Sequence, residues 1–212
     1  MAEARVVGMK TRDALYKLHG AMSDVPLGQA SVANYHSAAF IDAPWARRYI
    51  QLLSERGAID FAGLVYLTRA ALTEDPVTAK RWANRFDLVQ IDEVQDTHLS
   101  EYDVIRHLAA SAQSLCLVGD LDQTIYGWRG SQPAKLLDHM RRDFGPVTEL
   151  NMSENFRSTQ ALLSVASTVA AGLDARATKV VAHSTLPAGE PPSITAYGTP
   201  EAEASGIARK CA

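Results

Sequence analysis

The chain has 212 residues, 47% of them hydrophobic and 21% charged, with a net charge of -3. That apolar content suffices for a sizeable core and excludes a disordered chain, and the length fits one domain or one domain plus part of a second. The weak negative charge excludes a global pull toward nucleic acid, so any such contact has to come from a local patch or from aromatic stacking.

Two cysteines, Cys116 within an apolar run and Cys211 next to the last residue, make no disulfide framework and fit a reducing compartment. The first residues lack a signal-peptide core, and no run approaches the roughly 18 apolar residues of a membrane span. A cytoplasmic protein with no membrane partner is expected.

Residues 1–60 have helical composition with breaks near Gly20, Pro26, Gly28 and Pro44, and Trp45, Tyr49, Leu52 and Leu53 recur at helical spacing. A second helix is predicted over Ile59 to Leu72, capped by Asp60, with Phe61, Leu64, Val65 and the residues from Leu67 to Leu72 on its apolar face. Leu88, Val89 and Ile91 predict a buried strand that ends in Asp92 and Glu93. An amphipathic helix through Leu99, Tyr102, Ile105 and Leu108 follows, then a strand from Leu115 to Val118 that ends in Gly119 and Asp120. A strand–helix–strand unit of this kind packs as a parallel crossover, which brings both acidic strand ends to one edge of the sheet, where open α/β sheets bind ligands. A third strand is predicted near Val147 to Leu150, then a helix carrying Leu162, Leu163, Val165 and Val169. After a linker around Pro187 to Pro192 come a strand from Ser193 to Tyr197 and a helix starting at Thr199 and Pro200. The end inside that helix reads as truncation.

A strand ending in Asp92-Glu93 offers what nucleoside triphosphate hydrolysis needs: a carboxylate to hold magnesium and a neighbour to orient and deprotonate the attacking water. Alone, the dipeptide equally fits a solvated strand end or a helix cap. The loop from Gly119 through Asp120, Gln123, Tyr126, Gly127, Trp128, Arg129 and Gly130 to Ser131 narrows the choice. Its glycines permit tight backbone paths, Gln123 can hydrogen-bond a phosphate, and Tyr126, Trp128 and Arg129 offer stacking planes for unpaired bases. The plainer reading, aromatics anchoring a turn, leaves that combination unexplained. His98, His107 and His139 lack metal-ligand spacing and read as solvated or capping residues, and Lys135, Arg141 and Arg142 as a solvated helix face.

Val89 to Thr97, the loop from Gly119 to Ser131, and Asn155-Phe156-Arg157-Ser158-Thr159 resemble, in order and spacing, motifs II, III and IV of UvrD/PcrA/Rep-type superfamily 1 DNA helicases. Gly57 to Leu64 is similar to the segment that leads from the family's inserted helical subdomain back into its first RecA-like domain, so the resemblance covers roughly residues 45–205. It implies an α/β fold built on a RecA-like, P-loop NTPase-type parallel sheet with an inserted helical subdomain. Residues 1–58 would be part of that subdomain, 59–150 part of the first RecA-like domain, and 151–212 the motif IV segment and the start of a second. By the same resemblance Asp92 and Glu93 would hold magnesium, and Glu93 would also be the general base. Gln123 would sense the γ-phosphate and Arg157 would act as a finger on it. Gln95 and Asp96 would support bound ATP, and Tyr126, Trp128 and Arg129 would contact DNA. ATP, magnesium, and single-stranded and duplex DNA are the implied cofactors and partners, with DNA-repair or replication proteins as further partners.

Val94 stands where the family commonly has phenylalanine, Leu121 where it often has an acid, and Phe156 where tyrosine is usual. None of the 13 glycines is followed by lysine, so the 212 residues contain no Gly-x-x-x-x-Gly-Lys-Ser/Thr loop to cradle phosphates. The isolated chain is therefore expected to be inactive. A non-catalytic helicase-like module that binds DNA or a partner is the alternative. A magnesium nuclease using Asp92, Glu93 and Asp120 would leave the Gln123 to Arg129 loop and Arg157 without a role.

Overall fold

The computed structural model describes residues 11–127, 131–172 and 183–211. These form two compact units, one extending to Val147 and one starting at Thr148.

The first unit begins with five helices: α1 (Thr11–Ser23), α2 (Val32–Ser37), α3 (Pro44–Glu55), α4 (Phe61–Glu74) and α5 (Pro76–Ala83). Their starts follow local chemistry. Proline occupies the first turn of α3 and α5, where its missing N–H leaves no bond unmade. Ser31, Asp60 and Asp75 cap α2, α4 and α5 by accepting from backbone N–H groups. The expected break at Gly20 does not occur, and α1 runs through it to Ser23. A lone glycine costs a helix only about 1 kcal/mol, and Leu18 and Met22 on either side are both buried in the helical core with Tyr35, Ile50, Tyr66 and Ala70.

The buried face of α4 also differs from the expected one. Phe61 is 90% exposed and Leu64 53%, whereas Gly63, Tyr66, Arg69, Ala70 and Leu72 face inward. Gly63 fits because a Cβ there would lie 2.5 Å from the Tyr35 hydroxyl. The Asp60 cap draws further donors. Its carboxylate accepts from Gly63 N–H at 2.7 Å and Tyr49 Oη at 3.0 Å, and lies 3.2 Å from His19 Nε2. Burial pushes this carboxyl up, but those three partners outweigh it and hold it below its usual range.

Next come β1 (Leu88–Ile91), α6 (Leu99–Leu108), β2 (Ser114–Leu117) and α7 (Pro133–Phe144). β1 and β2 pair in parallel, with Leu88 opposite Ser114 and Ile91 opposite Leu117. The parallel crossover is thus present, yet neither strand is buried: exposed and half-buried residues alternate along both. Among the described residues this sheet has only two strands, so each keeps an open edge and an open face. Val94, Tyr102, Leu136 and Met140 form the core that α6 and α7 share with the turn after β1. His98 caps α6 in a reciprocal arrangement with Ser100 and Glu101.

Residues 147–150, which straddle the division between the units, are not a strand. The extended pairing in the second unit is instead β3 (Glu154–Asn155) beside β4 (His183–Ser184), parallel and two residues long, with α8 (Gln160–Ala170) between them in sequence. Leu150 is 87% exposed and Ile194 fully so, and the strand expected from Ser193 to Tyr197 is absent. Apolar, β-branched composition makes a strand only where a neighbour accepts its hydrogen bonds, and no described residue does so for either segment. The last helix, α9 (Pro200–Cys211), starts where expected, with Glu201 and Glu203 in its first turn. No described helix is long and apolar enough to cross a membrane.

Candidate functional site

Both strands of the first sheet end in acid. After β1 the chain turns sharply into a single 3-10 turn, Val94–Asp96, and Glu93 takes a left-handed conformation (φ 52°, ψ 43°) to start it. Few residues other than glycine adopt that geometry, and asparagine or aspartate do so more readily than glutamate. The cost is met locally. Asp92 Oδ1 accepts from Glu93 N–H at 2.9 Å, and Val94 N–H donates to the Val118 carbonyl at 3.0 Å, so the turn is tied to the end of β2. Asp92 and Glu93 both remain exposed. Among the described residues no three His, Cys, Asp or Glu side chains converge as a metal cage. Two adjacent exposed carboxylates suit magnesium, which keeps several waters and takes one or two protein carboxylates plus phosphate oxygens.

Behind the carboxylates lies Gln95, 1% exposed. Its amide nitrogen donates to Glu93 Oε2 at 2.8 Å, and its amide oxygen accepts from Asp120 N–H at 3.1 Å. The Ser131 hydroxyl donates to its backbone carbonyl. Gly119 is required by this packing, since a Cβ there would sit 2.5 Å from Gln95 Oε1 and 2.7 Å from Val94 Cγ1. Asp96 is half-buried beside it, with Oδ1 lacking a partner among the described residues.

The loop after β2 opens with a second 3-10 turn, Leu121–Gln123, capped by Asp120. Asp120 Oδ2 accepts from Gln123 Nε2 at 3.0 Å, which orients the Gln123 side chain while leaving it exposed. Tyr126 is half-buried, and its carbonyl accepts from Ser131 N–H at 3.4 Å. Trp128 and Arg129 lie outside the described residues. The first unit therefore brings Asp92, Glu93, Gln95, Asp96 and Gln123 to the carboxyl edge of one small parallel sheet.

Arg157 belongs to the second unit. Asn155 Oδ1 accepts from Arg157 N–H at 3.0 Å and from Ser158 N–H at 2.7 Å, a turn that explains why asparagine precedes the Arg-Ser pair and that leaves the Arg157 side chain exposed. The Ser184 hydroxyl donates to the Ser158 carbonyl at 2.7 Å, which fixes the same turn to β4.

Asp120 and Ser131 both lie in the motif loop, but nothing in the sequence signals that they bond to Gln95. One feature escaped the motif pattern altogether, a buried ion cluster. Arg69 Nε and Arg106 Nε donate to the two oxygens of Asp103 at 3.0 Å and 2.6 Å, with Arg69 and Asp103 wholly buried. Gly28 N–H also donates to Asp103 at 3.1 Å. The Arg69 guanidinium completes its set with the carbonyls of Met22, Val25 and Pro26. Burial pushes the Asp103 carboxyl up, but the Gly28 N–H and the two guanidinium groups overcome it and hold it below its usual range. An apolar cleft of about 270 Å³ lies between α4 and α6, lined by Leu64, Val65, Val104 and Ile105 among others, and none of the site residues borders it.

The chain is 33% identical over 141 residues to the ATP-dependent DNA helicase PcrA of Staphylococcus aureus, an alignment that takes in 66% of this chain and 19% of that protein. It is 35% identical over 121 residues to the ATP-dependent DNA helicase PcrA of Staphylococcus epidermidis, covering 57% of this chain and 16% of the relative. The chain thus spans about a fifth of the length of the relatives it matches. The model of the UvrD/REP helicase N-terminal domain matches residues 18–144, more than half of the sequence and nearly all of the first unit, and on that match the chain belongs to the UvrD/REP helicase family.

Proposed function

We propose that this chain is a segment of an ATP-dependent DNA helicase of the UvrD type, a motor that couples ATP hydrolysis to movement on single-stranded DNA. The observation that carries the reading is the joint placement of Asp92, Glu93 and Gln123 at one strand-end edge, held together through Gln95. In this reading residues 59–150 are part of a first RecA-like domain, residues 1–58 part of its helical insertion, and residues 151–212 the start of a second RecA-like domain.

Each role follows from the chemistry of the group. The Asp92 carboxylate would hold magnesium, with Glu93 beside it. The bound ion would supply positive charge to phosphate oxygens. The Glu93 carboxylate, fixed by the Gln95 amide, is the general base that takes the proton from the attacking water. Gln123 donates to the γ-phosphate of ATP from an exposed position beside the carboxylates, and Gln95 and Asp96 keep the nucleotide edge in shape. Arg157 stays charged at any working pH and presents a planar fork to phosphate oxygens as charge shifts between them. Tyr126, Trp128 and Arg129 stack on or pair with unpaired DNA.

Steady-state phosphate release with single-stranded DNA tests this. The chain alone, which contains no phosphate-cradling lysine loop, is expected to be silent. The full-length protein carrying it should turn over within the usual range of about 1 to 1,000 per second. There, Glu93→Gln and Arg157→Ala should each lower turnover about a hundredfold or more, with nucleotide binding retained after Glu93→Gln. Turnover within about twofold of the parent in either variant would remove that residue from the mechanism. A full-length protein that binds DNA but never hydrolyses ATP would instead be a non-catalytic DNA-binding module.

A further inference from the structure

We infer that Gln95 is a positioning residue through which the DNA-reading loop sets the Glu93 carboxylate, an inference that rests on the roles proposed above for Glu93 and Tyr126. A continuous series of hydrogen bonds runs between those two residues. The Tyr126 carbonyl accepts from Ser131 N–H, the Ser131 hydroxyl donates to the Gln95 carbonyl, and the Gln95 amide nitrogen donates to Glu93 Oε2. The Gln95 amide oxygen meanwhile accepts from Asp120 N–H. The loop from Asp120 to Ser131 is therefore fastened at both ends to one buried residue.

The chemistry admits only one orientation of that amide. Turned over, it would set its oxygen against the Glu93 carboxylate and its N–H against the Asp120 N–H, so the loop and the base together fix it. Contact on the far side is equally close, because a Cβ at position 119 would already strike Gln95 Oε1. A shift at the Asp120 end pulls on the amide that holds Glu93, and a shift at the Ser131 end pulls on the Gln95 backbone that carries it. Gln123 joins this network only through Asp120, whose carboxylate accepts from the Gln123 amide.

The test uses the full-length protein with Gln95→Glu, Ser131→Ala and Ser131→Thr. Gln95→Glu keeps an acceptor for Asp120 N–H but has no donor for Glu93. Ser131→Ala releases the far end of the loop, and Ser131→Thr restores the hydroxyl. For each, the ratio of DNA-stimulated to basal kcat is measured together with the Kd for a dT oligonucleotide and the KM for ATP. Gln95→Glu and Ser131→Ala should lower the stimulation ratio about tenfold, within the range of coupling that single residues carry, while Kd stays within about twofold and Ser131→Thr recovers the parent ratio. A ratio unchanged in both, or one that falls only in step with DNA affinity, overturns the inference. A parent without turnover would sink the proposed hydrolysis instead. The deciding measurement is then the ¹⁵N signal of the Gln95 side-chain amide in this chain on adding the oligonucleotide. A shift in the parent that Ser131→Ala abolishes supports the coupling, and a signal that does not move refutes it.

Discussion

Replacing Asp103 by leucine should be among the most damaging single changes in the first unit. The side chain is wholly buried, and it is the carboxylate partner of an equally buried Arg69. Removing it leaves the Arg69 guanidinium with the Met22, Val25 and Pro26 carbonyls but no counter-charge, and leaves Gly28 N–H without its acceptor. Breaking a buried pair from one side costs about 3–5 kcal/mol, a large part of the roughly 5–15 kcal/mol that holds a domain together. Urea unfolding of this chain, followed by the fluorescence of Trp45 and Trp82, measures the loss. The double variant Arg69→Met/Asp103→Leu removes the uncompensated charge and should be less destabilised than Asp103→Leu alone, though below the parent because three carbonyls lose a donor. The same carboxyl gives a pH signature. Its folded pKa lies below the unfolded value of about 3.9, so its stabilisation is complete above that value and is lost as pH falls through the folded one. Acid titration of Asp103→Asn should therefore show a shallower decline below about pH 4 than the parent. A single leucine variant within about 1 kcal/mol of the parent would refute the reasoning.

Gly119→Ala should destabilise the first unit by about 1–3 kcal/mol, as overpacking does, and should broaden or move the Gln95 side-chain amide signal. An unperturbed signal would show that Val94 and Gln95 give way freely. Tyr49 is pushed up to about 12 by burial and by the neighbouring Asp60 charge, and burial also raises Tyr35, Tyr66 and Tyr102, so tyrosinate absorbance should show several phenols titrating late and Tyr49→Phe should remove one of them. Stability from that hydroxyl is complete below the unfolded value of about 10 and lost as pH rises through the folded one, and Tyr49→Phe should remove this alkaline step. In the full-length protein Trp128→Ala should weaken single-strand binding by roughly 1–3 kcal/mol with little dependence on base identity. Unchanged fluorescence anisotropy would return Trp128 to a loop-anchoring role.

The sequence by itself determined whatever depends on neighbours along the chain. Proline and acid residues marked the starts of α3 and α9, Asp60 marked the cap of α4, and the two apolar runs ending in acid marked a parallel strand–helix–strand unit. The motif residues of the first unit were legible for the same reason, since strand ends and tight loops are written in short contiguous stretches. Only the tertiary structure decided which faces are buried and which polar groups meet. Phe61 is apolar yet exposed, and Arg69 is charged yet wholly buried, because Asp103, 34 positions away, and three carbonyls at the end of α1 and just after it complete its bonds. Residues 147–150 have strand composition and no described partner, so they make no strand. Gln95 looks like one polar residue among several in its motif, and becomes the link between Glu93 and the loop only when Asp120 and Ser131, 25 and 36 positions away, reach it. Periodicity records where a side chain points along its own element. Burial and hydrogen bonding depend on what the rest of the fold sets against it.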